Sequence, residues 1–172
     1  MPAGRAPHRE IEQDPGAGER LRLCELAAAE VEGVEVSRYE VDKVEPAYTF
    51  ETLEWLRAEQ PDDDLVFIAG ADQAASLPQW RDPERVLRAA RLAVAERPGT
   101  KPEDVLRAIG SISGGGPRVS FFAMPQIDVS STDIRARVAE GRPYRLLVPD
   151  AVADRIEEAG LYSTATVAGA GR

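Results

Sequence analysis

Hydrophobic positions recur along the chain with two spacings, one typical of helices and the other typical of strands. Apolar residues three or four positions apart predict helices at 19–33 and 48–60. The residues at 34–41 alternate between apolar and polar, which predicts a strand. A continuous apolar run at 65–70 ends in glycine and predicts a buried strand of a parallel sheet.

The same alternation of helices and strands continues to the end of the chain. Further helices are expected at 72–77, 83–90, 102–110, from 130 onward and at 149–160, further strands at 91–97 and 118–124, a loop at 111–117 and a disordered tail at 163–172. This order predicts an α/β fold with a mostly parallel sheet flanked by helices, in one domain over 1–162. Ligands bind beyond the C-terminal ends of such strands, and three polar segments follow the strands that end near 41, 69 and 122.

Composition and charge narrow the class of protein. The 172 residues include 43% hydrophobic and 30% charged residues, which is typical of a folded globular domain. A net charge of −9 argues against nucleic acid or an anionic membrane as a partner, although a local arginine cluster can still bind a phosphate. No stretch is typical of a transmembrane helix or a signal peptide, so we expect a cytoplasmic protein. The single cysteine, Cys24, is expected in the core, and a homo-oligomer is left open.

The segment IDVSSTDIRARV at 127–138 places three hydroxyl residues in a row at the start of a helix. One interpretation is a capping box, in which Ser130 accepts the backbone N–H of Asp133 and the Asp133 carboxylate bonds back. The other is an anion site, because the first turn of a helix has free N–H groups and a positive dipole end. Both can hold together, since a cap does not use every donor. The candidate anion-binding residues are Ser130, Ser131, Thr132, Arg135 and Arg137.

The segment IAGADQAASLPQW at 68–80 has the skeleton G-x-D-x5-P-x-W. Gly70 stands at a strand end, where a missing side chain lets the backbone approach a ligand. Asp72 can accept hydrogen bonds from sugar hydroxyls, as an acidic residue does in dinucleotide-binding folds. Trp80 offers a flat face for stacking. In the structural alternative, Asp72 caps a short helix and Trp80 fills the core.

The segment EPAYTFETL at 45–53 precedes another predicted helix. Thr49 is a good N-cap residue for that helix. Functionally, a helix start at the C-terminal edge of the sheet is a further place for a phosphate or a carboxylate.

In this order and spacing, the segments resemble the nicotinate-nucleotide adenylyltransferase family, bacterial enzymes of NAD synthesis. The matching segments are PHRE at 7–10, AYTFETL at 47–53, FIAGADQAASLPQW at 67–80, ERPG at 96–99, IDVSSTDIRARV at 127–138 and LVPDAVADRIEEAGLY at 147–162. The resemblance thus covers nearly the whole chain. The S-S-T-x-I-R stretch is shared with other adenylyltransferases, whereas G-x-D…P-x-W together with Y-T narrows the match to nicotinate.

The resemblance implies a Rossmann-like nucleotidyltransferase fold and a reaction of ATP with nicotinate mononucleotide. The products are deamido-NAD and pyrophosphate, and Mg²⁺ accompanies ATP. No covalent intermediate forms, so catalysis consists of positioning and charge neutralisation. By their match to the family's motifs, the ATP-binding residues are Ser130, Ser131, Thr132, Arg135, Gly70 and Asp72, and the substrate-binding residues are Tyr48, Thr49, Trp80, His8 and Arg9.

One departure from the family pattern concerns its opening strand and G-x-F-D-P-x-H-x-G-H loop, whose two histidines stabilise the α-phosphate in the transition state. This chain has a single histidine, His8, so no catalytic residue and no metal ligand is assigned. We therefore expect a chain that lacks the family's first βαβ unit and is inactive alone. Two alternatives stay open. One is a non-catalytic nucleotide-binding remnant. The other is a different adenylyltransferase, such as the pantetheine-phosphate enzyme, whose pattern does not require Trp80 or the pair Tyr48 and Thr49.

Overall fold

The structure is a computed structural model that describes residues 1–4, 14–112 and 119–163. It divides the chain into two compact units, of which unit 1 comprises Met1–Ala47 and Asp128–Arg172 and unit 2 comprises Tyr48–Ile127. The prediction of one domain over 1–162 stays a prediction. The predicted tail beyond Ser163 and the predicted loop from 113 onward lie outside the described residues.

Most of the predicted elements form close to their expected bounds. The helices are α1 (Ala17–Ala28), α2 (Thr49–Glu59), α3 (Ala71–Ser76), α4 (Pro83–Ala89), α5 (Pro102–Gly110), α6 (Ser131–Ala139) and α7 (Asp150–Glu158), and the strands are β1 (Val66–Gly70), β2 (Arg91–Ala95) and β3 (Val119–Phe122). Short 3₁₀ turns follow α3 at Leu77–Gln79 and precede α7 at Arg145–Leu147. Among the described residues, no helix is long and apolar enough to cross a membrane.

Unit 2 is built on a parallel sheet in the order β1-β2-β3, which confirms the predicted α/β fold class. The register pairs Phe67 with Leu92 and Val94 with Phe121, so these side chains share one face of the sheet. That face packs against helices α2 to α5 in one hydrophobic core, where Leu92 and Val94 are almost completely buried. The C-terminal ends of all three strands lie along one edge of the sheet.

The opposite face of β1 differs from the prediction. Val66 is 44% exposed and Ile68 is 65% exposed, so the strand is buried on one face rather than on both. A continuous apolar run indicates that both faces of a strand can be buried. Among the described residues, only the face of β1 that carries Phe67 and Ala69 packs against the core.

The strand predicted at 34–41 is wrong. Residues 34–38 have no regular secondary structure and 39–42 form a turn, in which Asp42 donates its N–H to Arg38 O at 3.0 Å. Val34 is 51% exposed, and no residue of 34–41 is buried, so the apolar positions of the alternating pattern do not form a buried face. A strand needs a neighbour for its backbone hydrogen bonds, and the sequence pattern does not report whether one exists.

Unit 1 contains α1, α6 and α7. Leu21 of α1 and Val152, Ala153 and Ile156 of α7 are buried, and Arg155 of α7 forms a two-pronged ion pair with Glu19 of α1. Cys24 is exposed, so its predicted core position is wrong. Cys24 lies three residues after Leu21, on nearly the same side of the helix, but Leu21 is the one residue of α1 that is buried.

Candidate nucleotide-binding site

The first turn of α6 has one half of the predicted capping box, the bond to Ser130, and lacks the predicted return bond from Asp133. Ser130 is the N-cap, and its Oγ accepts the backbone N–H of Asp133 at 3.1 Å. The Asp133 carboxylate instead accepts Arg137 Nε at 2.7 Å, one turn further along the helix. The carboxylate is therefore held by a cation, while the side chains of Ser131 and Thr132 stay exposed.

The two arginines of this helix are used differently. Arg137 is held by Asp133 and by Pro143, whose carbonyl oxygen accepts its Nη1 at 3.1 Å. Arg135 Nη2 donates to Thr132 Oγ1 at 3.3 Å, which keeps its guanidinium beside the exposed hydroxyls. Arg135 is thus the arginine available to an anion at this helix start.

Two titratable groups of unit 1, the Asp14 carboxyl and the Tyr162 hydroxyl, interact electrostatically with Arg135. Burial raises the pKa of the Asp14 carboxyl, but a hydrogen bond from Arg20, the N–H of Gly16 and the charge of Arg135 together hold it below its usual value. Burial raises the pKa of the half-buried Tyr162 hydroxyl, and the charge of Arg135 opposes that shift. Arg135 is therefore partly balanced by Asp14.

In unit 2, the turn after β1 brings Gly70, Asp72 and Arg97 together. Asp72 lies in the first turn of α3 and its Oδ1 is 4.0 Å from Arg97 Nη1, while Gln73 Nε2 donates to its Oδ2 at 3.5 Å. A side chain at Gly70 would place its Cβ 2.8 Å from Asp72 Oδ1 and 3.2 Å from Arg97 Nε. The backbone φ of Gly70 is −67°, which any residue can adopt, so backbone strain does not explain the glycine. The glycine instead leaves room for the close approach of the Asp72 and Arg97 side chains.

The start of α2 differs by one residue from the prediction. The N-cap is Tyr48 and not Thr49, which is the first helical residue. Tyr48 still has extended backbone angles, and its N–H donates to Glu51 Oε2 at 3.4 Å. Glu51 is the third helical residue, and its carboxylate satisfies the backbone N–H of the N-cap residue. This contact favours a helix start at Tyr48.

The aromatic side chains predicted to bind substrate both pack against the core of unit 2 while staying half-buried. Trp80 meets Phe67 edge to face, with 6.1 Å between ring centroids, and its Nε1 donates to Ser76 Oγ at 3.1 Å. The Tyr48 ring stacks on Phe50 with 6.2 Å between centroids. Trp80 therefore combines a core contact with an open part of its surface.

An open pocket of about 300 Å³ lies beyond the ends of β2 and β3. Its lining includes Arg97, Thr100, Pro102 and Met124. Arg97 thus belongs both to this pocket and to the turn that holds Asp72. Sequence reasoning did not single out Arg97, although its place in ERPG directly after a predicted strand was a usable signal.

The predicted site residues fall into the two units. Unit 2 holds Tyr48, Thr49, Gly70, Asp72 and Trp80, and unit 1 holds Ser130, Ser131, Thr132 and Arg135. His8 and Arg9 lie outside the described residues. Within unit 2, the guanidinium of Arg81, the residue after Trp80, lies over the Tyr48 ring at 4.5 Å from its centroid.

Comparison with known proteins identifies the family. The sequence model of the cytidylyltransferase-like family matches residues 1–137. A protein named "Probable nicotinate-nucleotide adenylyltransferase" from Roseiflexus sp. (strain RS-1) is 40% identical over 163 residues, which are 94% of this chain and 80% of that protein. A protein of the same name from Streptomyces coelicolor is 38% identical over 94% of this chain and 82% of its own length.

Solved structures share the fold. The Plasmodium falciparum nicotinic acid mononucleotide adenylyltransferase complexed with NaAD superposes with a TM-score of 0.59 at 14% identity, over 92% of this chain and 78% of that one. The same enzyme complexed with APC gives a TM-score of 0.54 at 18% identity, over 69% of this chain and 60% of that one. The fold is therefore the Rossmann-like fold of nucleotidyltransferases. With relatives of this identity and coverage, the chain belongs to the nicotinate-nucleotide adenylyltransferase family.

Proposed function

We propose that this protein serves the transfer of an adenylyl group from ATP to nicotinate mononucleotide, which yields deamido-NAD and pyrophosphate in NAD biosynthesis. The observation that supports the proposal is that Tyr48 and Trp80 pack half-buried against the core of unit 2, while Asp72 is exposed in the first turn of α3 in the same unit. The Asp72 carboxylate can accept a hydrogen bond from a sugar hydroxyl, and the half-buried rings of Tyr48 and Trp80 can stack on a planar base. The names of relatives about 40% identical to it support the same reaction.

In this reaction, an oxygen of the mononucleotide phosphate attacks the α-phosphorus of ATP. A new P–O bond forms while the bond from the α-phosphorus to the bridging oxygen breaks, and pyrophosphate leaves with that electron pair. The protein positions both nucleotides and neutralises charge. Mg²⁺ enters with ATP as part of the substrate.

Each side chain has a stated role in the proposal. Ser131, Thr132 and Arg135 donate to ATP phosphates at the start of α6, where the two hydroxyl residues are exposed and Arg135 Nη2 donates to Thr132 Oγ1. Asp72 accepts from a ribose hydroxyl of the nucleotide.

The remaining roles concern nicotinate mononucleotide. Trp80 stacks on the pyridine ring, with Tyr48 and Thr49 beside its carboxylate. The resemblance gives His8 and Arg9 a place near its phosphate. A cytoplasmic location is proposed with the reaction, since ATP is the donor.

A second candidate, nucleotide binding without catalysis, is favoured by the single histidine of the chain. The resemblance implies paired histidines that stabilise the charge of the transition state, and the loss of each such donor costs roughly 10²–10³ in rate. We therefore expect these residues to bind both nucleotides but to turn them over far more slowly than a relative that has the pair.

The experiment is an assay of deamido-NAD formation from ATP, with nicotinate mononucleotide, nicotinamide mononucleotide or 4′-phosphopantetheine as acceptor. Slow product formation with nicotinate mononucleotide alone supports adenylyl transfer. Nucleotide binding with no product at any enzyme concentration supports the second candidate. A preference for 4′-phosphopantetheine would contradict both.

A further inference from the structure

The chain turns sharply after α7, at two residues with left-handed backbone angles. Gly160 follows the helix with a φ of 60°, and Leu161 N–H donates back to Ile156 O at 2.9 Å. Tyr162 then has a φ of 62°, a conformation that a bulky residue rarely adopts. Such strain persists where the contacts of a residue determine its backbone, and it is concentrated at functional sites. The backbone of Tyr162 therefore points to a role for its side chain.

The side chain of Tyr162 is half-buried among charged groups of unit 1. Burial raises the pKa of its hydroxyl, and the charge of Arg135 is the strongest electrostatic influence on that pKa, ahead of the charges of Asp14 and Arg20. Arg135 is itself half-buried on α6. The turn after α7 thus brings a tyrosine hydroxyl into electrostatic range of the arginine at the start of α6.

The other two charged groups are already occupied by partners near α1. The Asp14 carboxylate accepts Arg20 Nη1 and also the backbone N–H of Gly16, the latter at 3.0 Å. Arg20 Nη2 donates to the carbonyl oxygens of Ala3 and Gly4, at 2.8 Å and 2.7 Å. Asp14 and Arg20 therefore hold each other and the neighbouring backbone.

Arg135, in contrast, is held weakly on its own helix. Its Nη2 donates to Thr132 Oγ1 at 3.3 Å, which is long for such a bond and involves an uncharged oxygen. A weakly held guanidinium loses conformational freedom when it meets a phosphate, and a second acceptor beside it reduces that loss. The hydroxyl oxygen of Tyr162 can serve as that acceptor.

We propose that Tyr162 is a positioning residue for ATP binding, whose hydroxyl orients the Arg135 guanidinium toward the phosphates. The inference rests on the role that the proposed function gives to Arg135. Tyr162 acts through Arg135 and not on the nucleotide itself, so its effect is confined to ligands that carry phosphates. The end of α7 thereby takes part in ATP binding through the first turn of α6.

ATP and adenosine distinguish this role from a structural one, because they share the base and the ribose and differ in the phosphates. Their dissociation constants would be measured by calorimetry for the wild-type protein, for Tyr162→Phe, for Arg135→Ala and for the variant that carries both substitutions. Tyr144→Phe is the matched control, since it removes another tyrosine hydroxyl of unit 1, which donates to Glu157 Oε1 at 3.4 Å. A melting temperature for each variant reports whether the fold is intact.

We expect Tyr162→Phe to weaken ATP binding about twofold to fivefold, in the range of one lost hydrogen bond, and to change adenosine binding by less than about 1.5-fold. When Arg135 is already alanine, Tyr162→Phe should not weaken ATP binding further, because the two residues act as a unit. Tyr144→Phe should leave both affinities unchanged.

Three results would overturn the inference. Equal weakening of ATP and adenosine would assign Tyr162 to the fold, and an unchanged ATP affinity would mean that its hydroxyl does not orient Arg135. An equal loss of ATP affinity with and without Arg135 would show that Tyr162 acts independently of it. In each case the proposed function would stand if Arg135→Ala weakens ATP binding, whereas a wild-type protein that does not bind ATP would overturn both.

Discussion

The carboxylate of Asp72 occupies the space where a side chain at Gly70 would begin, with its Oδ1 only 2.8 Å from an ideal Cβ at that position. Arg97 closes the same space from the other side, its Nε 3.2 Å from that Cβ. The three residues come together because β1 and β2 pair Gly70 with Ala95, which sets Arg97 two residues beyond the end of β2. The missing side chain of Gly70 therefore leaves the space that the Asp72 carboxylate and the Arg97 guanidinium occupy.

Gly70→Ala should displace Asp72 and Arg97 rather than the backbone, because both contacts are ends of exposed side chains. We expect the dissociation constant for ATP to rise about threefold to tenfold, in the range of a lost hydrogen bond, and the melting temperature to change little. Titration calorimetry and thermal unfolding measure the two effects. Gly110→Ala is the control, since its added Cβ meets no atom within 4 Å. A large loss of stability with unchanged ATP affinity would mean that Gly70 serves only the fold.

Arg135→Ala should weaken ATP binding, because its guanidinium lies beside the exposed hydroxyls at the start of α6. A charge-assisted contact of this kind is worth about 1.5–3 kcal/mol, although exposure lowers that value. Arg22→Ala removes an exposed arginine of unit 1, paired with Glu25 at 3.6 Å, and should not change ATP affinity. If both substitutions weaken ATP binding equally, Arg135 contributes only to the overall charge of the protein and does not contact ATP.

The cap of α6 could be predicted because all of its parts lie within four consecutive residues, from Ser130 to Asp133. The contact between Asp72 and Arg97 could not, since it depends on the register of two parallel strands separated by a helix. The same limit explains the wrong strand at 34–41. Alternating polarity describes what a strand would bury, but pairing partners come from the tertiary fold.

Trp80→Ala should affect both stability and substrate binding, because the ring meets Phe67 and its Nε1 donates to Ser76. The KM or dissociation constant for nicotinate mononucleotide should rise more than that for ATP, by about 5- to 150-fold if stacking contributes roughly 1–3 kcal/mol. Trp80→Phe keeps an aromatic face and should restore most of the affinity. If the dissociation constants for both nucleotides change equally, Trp80 stabilises the core and does not stack on the pyridine ring.

Acid should weaken unit 2 through Glu54. A hydrogen bond from Arg85 holds the pKa of the Glu54 carboxyl below its ordinary value of 4.5. The folded state thus favours the charged form, so the stabilisation is complete above pH 4.5 and is lost as the pH falls through the lowered pKa.

Urea unfolding of Glu54→Gln from pH 7 to pH 3 tests this sign. The variant should be modestly less stable at pH 7, and the difference should shrink as the pH falls below 4.5. Glu59→Gln, at the exposed end of the same helix, controls for the loss of one negative charge. A difference that grows toward low pH would contradict the assignment.

Calorimetric titration of the protein with deamido-NAD tests the central claim most directly, because this one molecule contains both the adenylyl group and the nicotinate ring. We predict that one molecule of deamido-NAD binds per chain, that ATP and nicotinate mononucleotide each displace it, and that 4′-phosphopantetheine does not. No detectable binding of deamido-NAD, or its displacement by 4′-phosphopantetheine, would contradict the proposed function.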